Sequence, residues 1–448
     1  MLTICTDVDE ARRTVLNRAT AGSTHPAELL ERIATLFGAA LTPAAAVARV
    51  LQDVSRDGDA AAAEWSKRLD GVAAHPLAVP AAELAAAASR LPAALNAALQ
   101  LAAQRIRAFH ENQQPRSWSS AALGGQLGQR VVALRRVGIY VPGGSAPLAS
   151  SLLMAALPAR VAGVEEIVVC TPPAPAGQSV AAAILAAAQL AGVQQVYQLG
   201  GAQAIAAMAY GTQSIPRVDK IVGPGGLFVT LAKQQLYGTV GLDGLAGPTE
   251  TIVVADAAAN PEWVAADMLA QAEHDVLATA ILLTDSAALA TQVQAALQRR
   301  MQALPRKPVI AQSLAQRGGI VVTPDIATAV ALADEFAPEH LCLCVANAGT
   351  WAARVRNAGG IFIGERSFEV LGDYVAGPSH IMPTGGSARF ASPCNVLDFV
   401  RIMSIIELDA QTAASLAPAA ALLAQAEQLE AHAAAALCRS TGASFNEK

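Results

Sequence analysis

Short polar clusters interrupt a chain that is otherwise rich in alanine, leucine and valine. In one of them, Gln271 and His274 lie three residues apart, a spacing that puts an amide oxygen and an imidazole on one face of a helix. Four of the seven histidines lie in or beside such clusters: His274, His340, His380 and His432. These clusters are therefore the first candidates for a functional site.

The residue types in these clusters suit a zinc site. A catalytic zinc ion takes nitrogen or oxygen ligands and keeps room for a substrate. Gln271 and His274 can face one ion, and Asp373 and His432 could complete a set of four ligands. The alternatives are a capping role for Asp373 and a solvent-facing His432, and the residues alone leave both open.

An adjacent carboxyl and imidazole form a second candidate for chemistry. Glu339 and His340 follow Pro338 at the start of a predicted strand. Such a pair suits proton transfer near neutral pH, with Glu339 acting toward water and His340 toward an alcohol. The alternative is a surface glutamate beside a half-buried histidine.

The elements that must position these residues change in period along the chain. Up to about residue 130 the apolar residues repeat as in helices, for example Val47, Val50 and Val54. Strands and helices then alternate from 137 to 222, and a second alternating series runs from 251 to 363. Repeated strand–helix–strand units predict parallel sheets, so we expect an α/β fold with two sheets and a helical C-terminal tail.

Glycine-containing loops connect strands to helices in the first series. None matches Gly-x-Gly-x-x-Gly, because Phe228 occupies the third glycine position of the nearest one. Each loop alone could be a tight turn, but the set favours a dinucleotide site of non-standard design. The three loops are Pro142-Gly143-Gly144-Ser145, Gly200-Gly201-Ala202-Gln203 and Gly223-Pro224-Gly225-Gly226.

The composition favours a small-molecule partner. The 448 residues are too many for one compact core, and 53% of them are apolar but only 4% aromatic, a mix usual in α/β layers. A net charge of -5 without charge runs gives no electrostatic footprint for nucleic acid or an anionic membrane. We therefore expect a small soluble ligand, with no nucleic acid and no membrane as partner.

The N-terminal residues and the lack of a long apolar run predict a cytoplasmic protein, and the cysteines predict no disulfide framework. Asp7 and Asp9 precede any long apolar run, and no later stretch has about 18 unbroken apolar residues. The six cysteines form no Cys-x-x-Cys pair, and Cys342 and Cys344 share one face of a predicted strand. We expect buried thiols rather than a disulfide framework or a thiol nucleophile.

The motifs of this chain, taken in order, resemble those of histidinol dehydrogenase. The resemblance implies two incomplete Rossmann-like domains with parallel sheets, small helical segments at both termini, and an intertwined homodimer with shared active sites. It implies an N-terminal segment 1–25, a first Rossmann-like domain 26–136 and 249–394, a second one 137–248 on the NAD side, and a tail 395–448. The motifs run from Arg136 to Leu148, Gly200 to Ala207, Ala246 to Glu250, Gln271 to His274, Pro338 to Leu341 and Gly372 to Thr384.

The resemblance also implies a reaction and a role for each site residue. The family oxidises L-histidinol through L-histidinal to L-histidine in two NAD-dependent steps, the last of histidine biosynthesis. Glu339 and His340 would be the acid–base pair. Zinc would be held by Gln271, His274, Asp373 and His432. These four ligands would also contact the substrate, together with His340, Thr249, His380 and Glu427. The residues that would contact NAD are Tyr140, Gln203 and Gly226.

A few positions depart from the family pattern. Gly226 stands where family members commonly have asparagine, which puts one hydrogen bond to NAD in doubt. Thr249 replaces serine, Ser379 replaces an asparagine, and residues 367–370 lack a proline. None of these is a predicted metal ligand or acid–base residue, so they bear on specificity more than on reaction type.

Two rival functions stay open from the sequence. One is a related dehydrogenase of another primary alcohol, such as a sulfonated diol, against which the retention of Glu427 and His432 argues. The other is a non-catalytic protein that binds zinc or a nucleotide.

Overall fold

The computed structural model describes residues 2–18, 27–72, 76–143, 147–174 and 179–439. His25, His75 and two residues of the first glycine loop, Gly144 and Ser145, lie outside the described residues. Contacts divide the chain into two compact units. Unit 1 comprises Met1–Gln113 and Leu134–Phe399, and unit 2 comprises Gln114–Ala133 and Val400–Lys448.

The strands fall into three sheets, two in unit 1 and one in unit 2. They are β1 Ile4–Cys5, β2 Trp118–Ser120, β3 Gln126–Ala133, β4 Arg136–Tyr140, β5 Glu166–Thr171, β6 Gln195–Gln198, β7 Lys220–Val222, β8 Gly241–Leu242, β9 Glu250–Ala255, β10 Thr279–Thr284, β11 Gly318–Val322, β12 His340–Cys344, β13 Gly360–Ile363 and β14 Val400–Glu407.

The helices connect these strands and cover the sheets of unit 1. No helix in the described ranges is both long and apolar enough to cross a membrane. They are α1 Val8–Arg13, α2 Ala27–Phe37, α3 Pro43–Asp57, α4 Asp59–Asp70, α5 Ala81–Ala85, α6 Ala93–Glu111, α7 Ala149–Val161, α8 Ala182–Leu190, α9 Gly201–Tyr210, α10 Leu227–Leu236, α11 Pro261–Ala272, α12 Ala287–Met301, α13 Lys307–Arg317, α14 Ile326–Phe336, α15 Ala348–Ala352, α16 Glu369–Tyr374, α17 Ala410–Ala426 and α18 Glu430–Leu437.

Local sequence signals fix the start of the helices that matter most for the site. Asn260 caps α11 by accepting the backbone N–H of Glu262, and Pro261 occupies the first helical turn. Thr42 and Pro43 begin α3 in the same way. These ends are readable from the sequence because the capping group and the capped N–H lie within three residues of each other.

The first sheet of unit 1 has six parallel strands in the order β1-β11-β10-β9-β12-β13. Every residue of β9 and β10 is buried, as expected for central strands covered by helices on both faces. Cys342 and Cys344 on β12 are both buried, which confirms their prediction as core thiols. The predicted α/β class with parallel sheets is also confirmed.

The second sheet of unit 1 has five parallel strands in the order β6-β5-β4-β7-β8. The chain extends from β4 first to one side and then to the other, so the loops after β4 and β7 are neighbours at the carboxyl edge. Open α/β sheets bind ligands at such a point of reversal. The described residues of the three glycine loops follow β4, β6 and β7.

Helices α3, α4 and α6 pack on the five-stranded sheet. Val47, Val54 and Trp65 share a core with Ile221, and Ile106 of α6 lies in the core on the other face. The predicted domain boundaries grouped 26–136 with the six-stranded sheet, and the structure differs from that grouping. Apolar periodicity identifies the buried face of a helix but not the sheet that covers it. The other predicted domain boundaries stay predictions.

Unit 2 contains an antiparallel sheet and two helices. The strand order is β14-β3-β2, and Val400 pairs with Ala133 at one end of the longest ladder. The sequence interpretation, helical to about residue 130 and again in the last fifty residues, missed these three strands. Their burial patterns do not alternate, so no period of two was available to reveal them.

Candidate active site

Glu339 and His340 lie where two central strands of the six-stranded sheet begin. His340 is the first residue of β12 and pairs with Thr251 on β9, while Thr249 directly precedes β9. These side chains therefore meet at the amino edge of that sheet. Parallel sheets commonly bind ligands at the carboxyl ends of their strands, and the glycine loops of the five-stranded sheet lie there, whereas the acid–base pair does not.

The carboxylate of Glu339 is buried and hydrogen-bonded. Its Oε2 accepts the hydroxyl of Thr249 at 2.6 Å and the backbone N–H of Glu250 at 3.1 Å. Burial raises the pKa of Glu339 to about 7, outweighing the lowering effects of His340 and of these two donors. A carboxyl with this pKa can accept and return a proton near neutral pH. The alternative of a surface glutamate is wrong.

The imidazole of His340 is enclosed as well. Its Nδ1 lies 3.2 Å from the carbonyl oxygen of Glu250, which can only accept, so Nδ1 donates. Its Nε2 has no hydrogen-bond partner in the described part of the chain and lies 3.6 Å from Oδ1 of Asp373. Burial lowers the pKa of His340, but the carboxylates of Glu339, Asp373 and Glu369 raise it to about 10. Nε2 is therefore the ring nitrogen available for proton exchange.

Gln271 is buried at the end of α11, and His274 lies exposed just beyond it. We predicted that His274 lies on this helix, but the helix ends at Ala272. The backbone N–H of His274 donates to the carbonyl of Gln271 at 3.2 Å and so continues the last turn. Nε2 of Gln271 donates to Glu369 at 2.6 Å, and its Oε1 accepts from Thr249 at 2.9 Å. The predicted spacing still places both side chains at one end of this helix.

Asp373 and His380 are joined by the turn that follows α16. Asp373 lies in the last turn of this helix, so the alternative of an N-terminal cap is wrong. Nδ1 of His380 donates to the carbonyl of Asp373 at 2.6 Å, and its Nε2 lies 3.0 Å from the hydroxyl of Ser151 on α7. Burial works to raise the pKa of Asp373, but three imidazoles, those of His340, His380 and His274, hold it below its usual value.

The predicted ligands in unit 1 are compatible with a bound cation. The Thr249 hydroxyl has one proton but two acceptors in reach, so an oxygen of Gln271 or Glu339 is left for another partner. A cation beside Asp373 would also offset the carboxylates around His340 and oppose protonation of its ring. Among the described residues no three His, Cys, Asp or Glu side chains are grouped to hold a metal. The four-ligand zinc site therefore stays a prediction.

The residues predicted to contact NAD lie at the carboxyl edge of the five-stranded sheet. Tyr140 ends β4, and its hydroxyl accepts the N–H of Gly201 at 3.2 Å. Burial raises the pKa of Tyr140 to about 12, so the phenol stays neutral. Gln203 is fully buried on α9, and its Oε1 has no partner within the described ranges. A buried acceptor without a donor is a place where a ligand N–H or O–H could bind.

The third glycine loop is held by a buried ion pair. Gly223 has a φ of +116°, and an added Cβ would lie 2.2 Å from the carbonyl oxygen of Tyr140, so only glycine fits. Asp243 accepts the N–H of Gly223 at 2.7 Å, and Lys233 donates to its carbonyl at 3.1 Å and to Asp243. The N–H and the carbonyl of Gly223 are therefore both held by buried side chains.

Gly226 occupies the N-cap position of α10 without needing to be glycine. Its φ is -70°, and an added Cβ would meet nothing within 4 Å. The departure from asparagine is therefore not imposed by the backbone, and nothing else in the structure explains it.

Glu427 and His432 belong to unit 2. Glu427 directly follows α17, His432 lies on α18, and both are exposed. The alternative of a solvent-facing His432 is therefore still open. The grouping of these two residues with those of unit 1 stays a prediction.

The structure adds site residues that the sequence interpretation missed. Glu369 is fully buried and accepts the amide of Gln271, and Ser151 contacts His380. The signal for Glu369 was its place four residues before Asp373, a spacing that puts both on one helix face. Ser151 has no such sequence signal, because its contact joins residues 229 positions apart.

Comparison with known proteins decides the family. The family model for histidinol dehydrogenase matches residues 40–440. The histidinol dehydrogenase of Deinococcus radiodurans is 50% identical over 425 residues, 94% of this chain and 97% of that protein. That of Thermus thermophilus is 49% identical over 384 residues, 86% of this chain and 91% of that protein. This chain belongs to the histidinol dehydrogenase family.

The fold agrees with this membership. The crystal structure of histidinol dehydrogenase from Elizabethkingia anophelis superposes with a TM-score of 0.88 at 33% identity, covering 98% of both chains. The family prediction and the predicted dehydrogenase class are therefore confirmed.

Proposed function

We propose that this chain oxidises L-histidinol through L-histidinal to L-histidine, reducing two molecules of NAD, in the last steps of histidine biosynthesis. The observation that carries the proposal is the buried Glu339–His340 pair, in which Oε2 and Nδ1 lie 3.6 Å apart. The two groups are close enough to serve one substrate carbon, yet each is held by a different backbone group of Glu250, Glu339 by its N–H and His340 by its carbonyl. Two chemically distinct steps can therefore share one pocket.

His340 serves the oxidation of the alcohol. Its Nδ1 donates to the carbonyl of Glu250, and Nε2 has no partner among the described residues. A cation at the predicted ligands would oppose protonation of this ring, whose pKa the surrounding carboxylates otherwise raise to about 10, so that Nε2 can accept the proton of the substrate hydroxyl. Loss of this proton accompanies departure of a hydride from the same carbon and leaves the aldehyde.

Glu339 serves the hydration of the aldehyde. With a pKa raised to about 7 by burial, its carboxylate takes a proton from the water that adds to the carbonyl carbon. Thr249 and the N–H of Glu250 hold this carboxylate in place. His340 returns the proton that it took from the alcohol to the carbonyl oxygen, which completes the diol. The diol then loses a second hydride while His340, neutral again, accepts a hydroxyl proton, and the product is the carboxylic acid.

The cofactors supply what these side chains cannot: bound zinc orients the substrate's amino and imidazole nitrogens, and bound NAD accepts the hydrides. The family resemblance implies which residues of this chain would bind zinc, the substrate and NAD. Gln271, His274, Asp373 and His432 would hold zinc, Thr249, His380 and Glu427 would make further substrate contacts, and Tyr140, Gln203 and the loop at Gly226 would lie on NAD.

We also propose a cytoplasmic homodimer in which each site takes Glu427 and His432 from the partner chain. Both units expose large apolar side chains, as surfaces that meet a partner do. In unit 1 one of them, Tyr374, is adjacent to Asp373. The most exposed are Leu123 at 73%, Ile406 at 75%, Tyr237 at 78% and Phe390 at 87%.

The test counts NADH formed per molecule of L-histidinol consumed, with zinc-loaded protein and excess NAD. We expect two NADH and little free aldehyde. One NADH with accumulating aldehyde would contradict the four-electron reaction, and turnover of a sulfonated diol instead would favour the first rival. No NADH from any alcohol would favour the binding protein.

The same assay tests the metal. Chelation should abolish NADH formation, and added zinc should restore it. Full activity in protein that elemental analysis finds free of metal would exclude the metal role while leaving the acid–base assignment in place.

A further inference from the structure

Glu369 is a buried carboxylate whose charge no described residue balances directly. It begins α16 and is fully buried, and no described Lys, Arg or His lies within ion-pair distance of it. Three side chains donate to it: the hydroxyl of Thr251, the amide of Gln271 at 2.6 Å and the thiol of Cys342 at 2.9 Å. An ionised carboxylate is costly to bury unless it is hydrogen-bonded and a positive charge lies near.

The contact with Glu369 decides which end of the Gln271 amide faces the site. A carboxylate can only accept hydrogen bonds, so the NH2 group must point toward Glu369 and Oε1 must point away from it, toward Thr249. The opposite orientation would bring two acceptor oxygens together. Because Thr249 has one proton and also reaches Glu339, Oε1 keeps a lone pair for another partner.

We propose that Glu369 is a positioning residue of the metal site, which orients the Gln271 amide so that Oε1 faces the ion. The inference rests on the proposed zinc role of Gln271. Asp373 lies four residues beyond Glu369 on the same helix, one turn along the same face, so one short helix supplies both a predicted ligand and the group that orients another. The cation in turn lowers the cost of burying Glu369. Such outer partners commonly set metal affinity by 10-fold to 100-fold.

Cys342 contributes to this network as a donor. The sequence interpretation treated it only as a small apolar core residue, whereas its thiol fixes the second oxygen of Glu369 from β12. Glu369 is thereby held from β9, α11 and β12 at once. These three contacts fix the position of Glu369, and a residue that orients another side chain must itself be held in place.

The test measures zinc affinity directly, by chelator competition on the full chain, in a double-mutant cycle. Glu369→Ala and Gln271→Ala should each weaken zinc binding by about 10-fold to 100-fold. The double variant should bind zinc at most about twofold more weakly than the weaker-binding single variant, because Glu369 acts through Gln271. Glu369→Gln should lose less than Glu369→Ala, since Thr251 and Cys342 can turn and accept from the new amide while its oxygen still receives Gln271.

Glu365→Gln is the matched control. It removes a carboxylate charge four residues earlier, where Glu365 accepts the backbone N–H of Asn260 instead of a site residue. Its zinc affinity should stay within about twofold of the wild type. An equal loss in the control would mean that charge alone matters and would overturn the positioning role.

The remaining outcomes separate this inference from the proposed function. If the wild-type chain binds no zinc, the metal role itself fails, and the inference fails with it. If the wild type binds zinc but the Glu369 variants bind it equally well, or if the losses simply add, only the inference is overturned. Should Glu369→Ala fail to fold, the same cycle with Glu369→Met gives the decision, because methionine keeps the volume but offers no oxygen to the Gln271 amide.

Discussion

At the scale of single residues, burial gives Glu339 and His340 their chemistry. Both side chains are less than a tenth exposed, so the carboxyl group gains affinity for a proton and the imidazole is surrounded by carboxylates that water cannot screen. The backbone of Glu250 holds both groups, through its N–H and its carbonyl. One residue of β9 thus sets the geometry of the whole pair.

Removing the imidazole of His340 should affect turnover far more than binding. His340→Ala should lower kcat by about 10²–10⁴-fold, because the variant lacks Nε2, the atom that accepts the hydroxyl proton. His340→Asn keeps a side-chain N–H that can reach the Glu250 carbonyl but has no basic nitrogen, so it should be equally impaired. Steady-state kinetics with L-histidinol give the measurement. A rise in KM with kcat unchanged would mean that His340 only binds substrate.

At the scale of elements, α11 carries a buried carboxyl, Asp267, that should make the stability of the fold depend on pH. Burial first, and then the charges of Glu369 and Glu365, raise the pKa of Asp267 to about 7. The unfolded chain releases this proton near pH 4, whereas the folded chain keeps it until about pH 7. The folded state therefore loses stability as the pH rises between these values.

Asp267→Asn should remove this dependence. At pH 8 the variant should be more stable than the wild type by about 1–3 kcal/mol, and at pH 4 nearly equal to it, because asparagine carries no charge to bury. Urea unfolding followed by circular dichroism at the two pH values measures the difference. Asp285→Asn, at an exposed position, is the control and should change neither midpoint. A gain of the same size at both pH values would contradict the titration of Asp267.

The N-terminus of α10 offers a second test at this scale. Gly226→Asn places an asparagine at an N-cap where the backbone is unstrained and the space is open. If the new amide reaches NAD, KM for NAD should fall while kcat stays the same. An unchanged KM together with a slightly higher Tm would mean that asparagine only caps the helix.

At the scale of the whole molecule, the proposed site draws on two units of the chain. Unit 1 holds Gln271, His274, Asp373 and the acid–base pair, and unit 2 holds Glu427 and His432. In a homodimer with exchanged tails, each site would be completed by the partner. Complementation between two inactive variants distinguishes that arrangement from a site built within one chain.

Refolding His340→Ala together with His432→Ala should restore activity. In a mixed dimer, the body of the His432→Ala chain keeps its acid–base pair and receives an intact tail from the other chain, so one site is complete. Random pairing should recover about a quarter of the wild-type activity. Differently tagged chains that co-purify without any activity would show that each tail serves its own subunit.

The sequence by itself determined the parts of this protein that depend on near neighbours. The two parallel sheets follow from the alternation of strands and helices, and the start of α11 follows from Asn260 and Pro261. The order and length of the motifs determined the family. Each of these signals lies within one short segment or in the order of segments, so no contact in space is needed to read it.

Only the tertiary structure decided what depends on residues far apart in sequence. It placed α3, α4 and α6 on the five-stranded sheet, paired β3 with the sequence-distant β14, and brought Glu369 onto Gln271 across 98 residues. It also gave Glu339 and His340 their burial, and with it their shifted pKa values. A hydrophobic period shows that a face is buried but not what covers it, and the free energy of a buried charge depends on that covering.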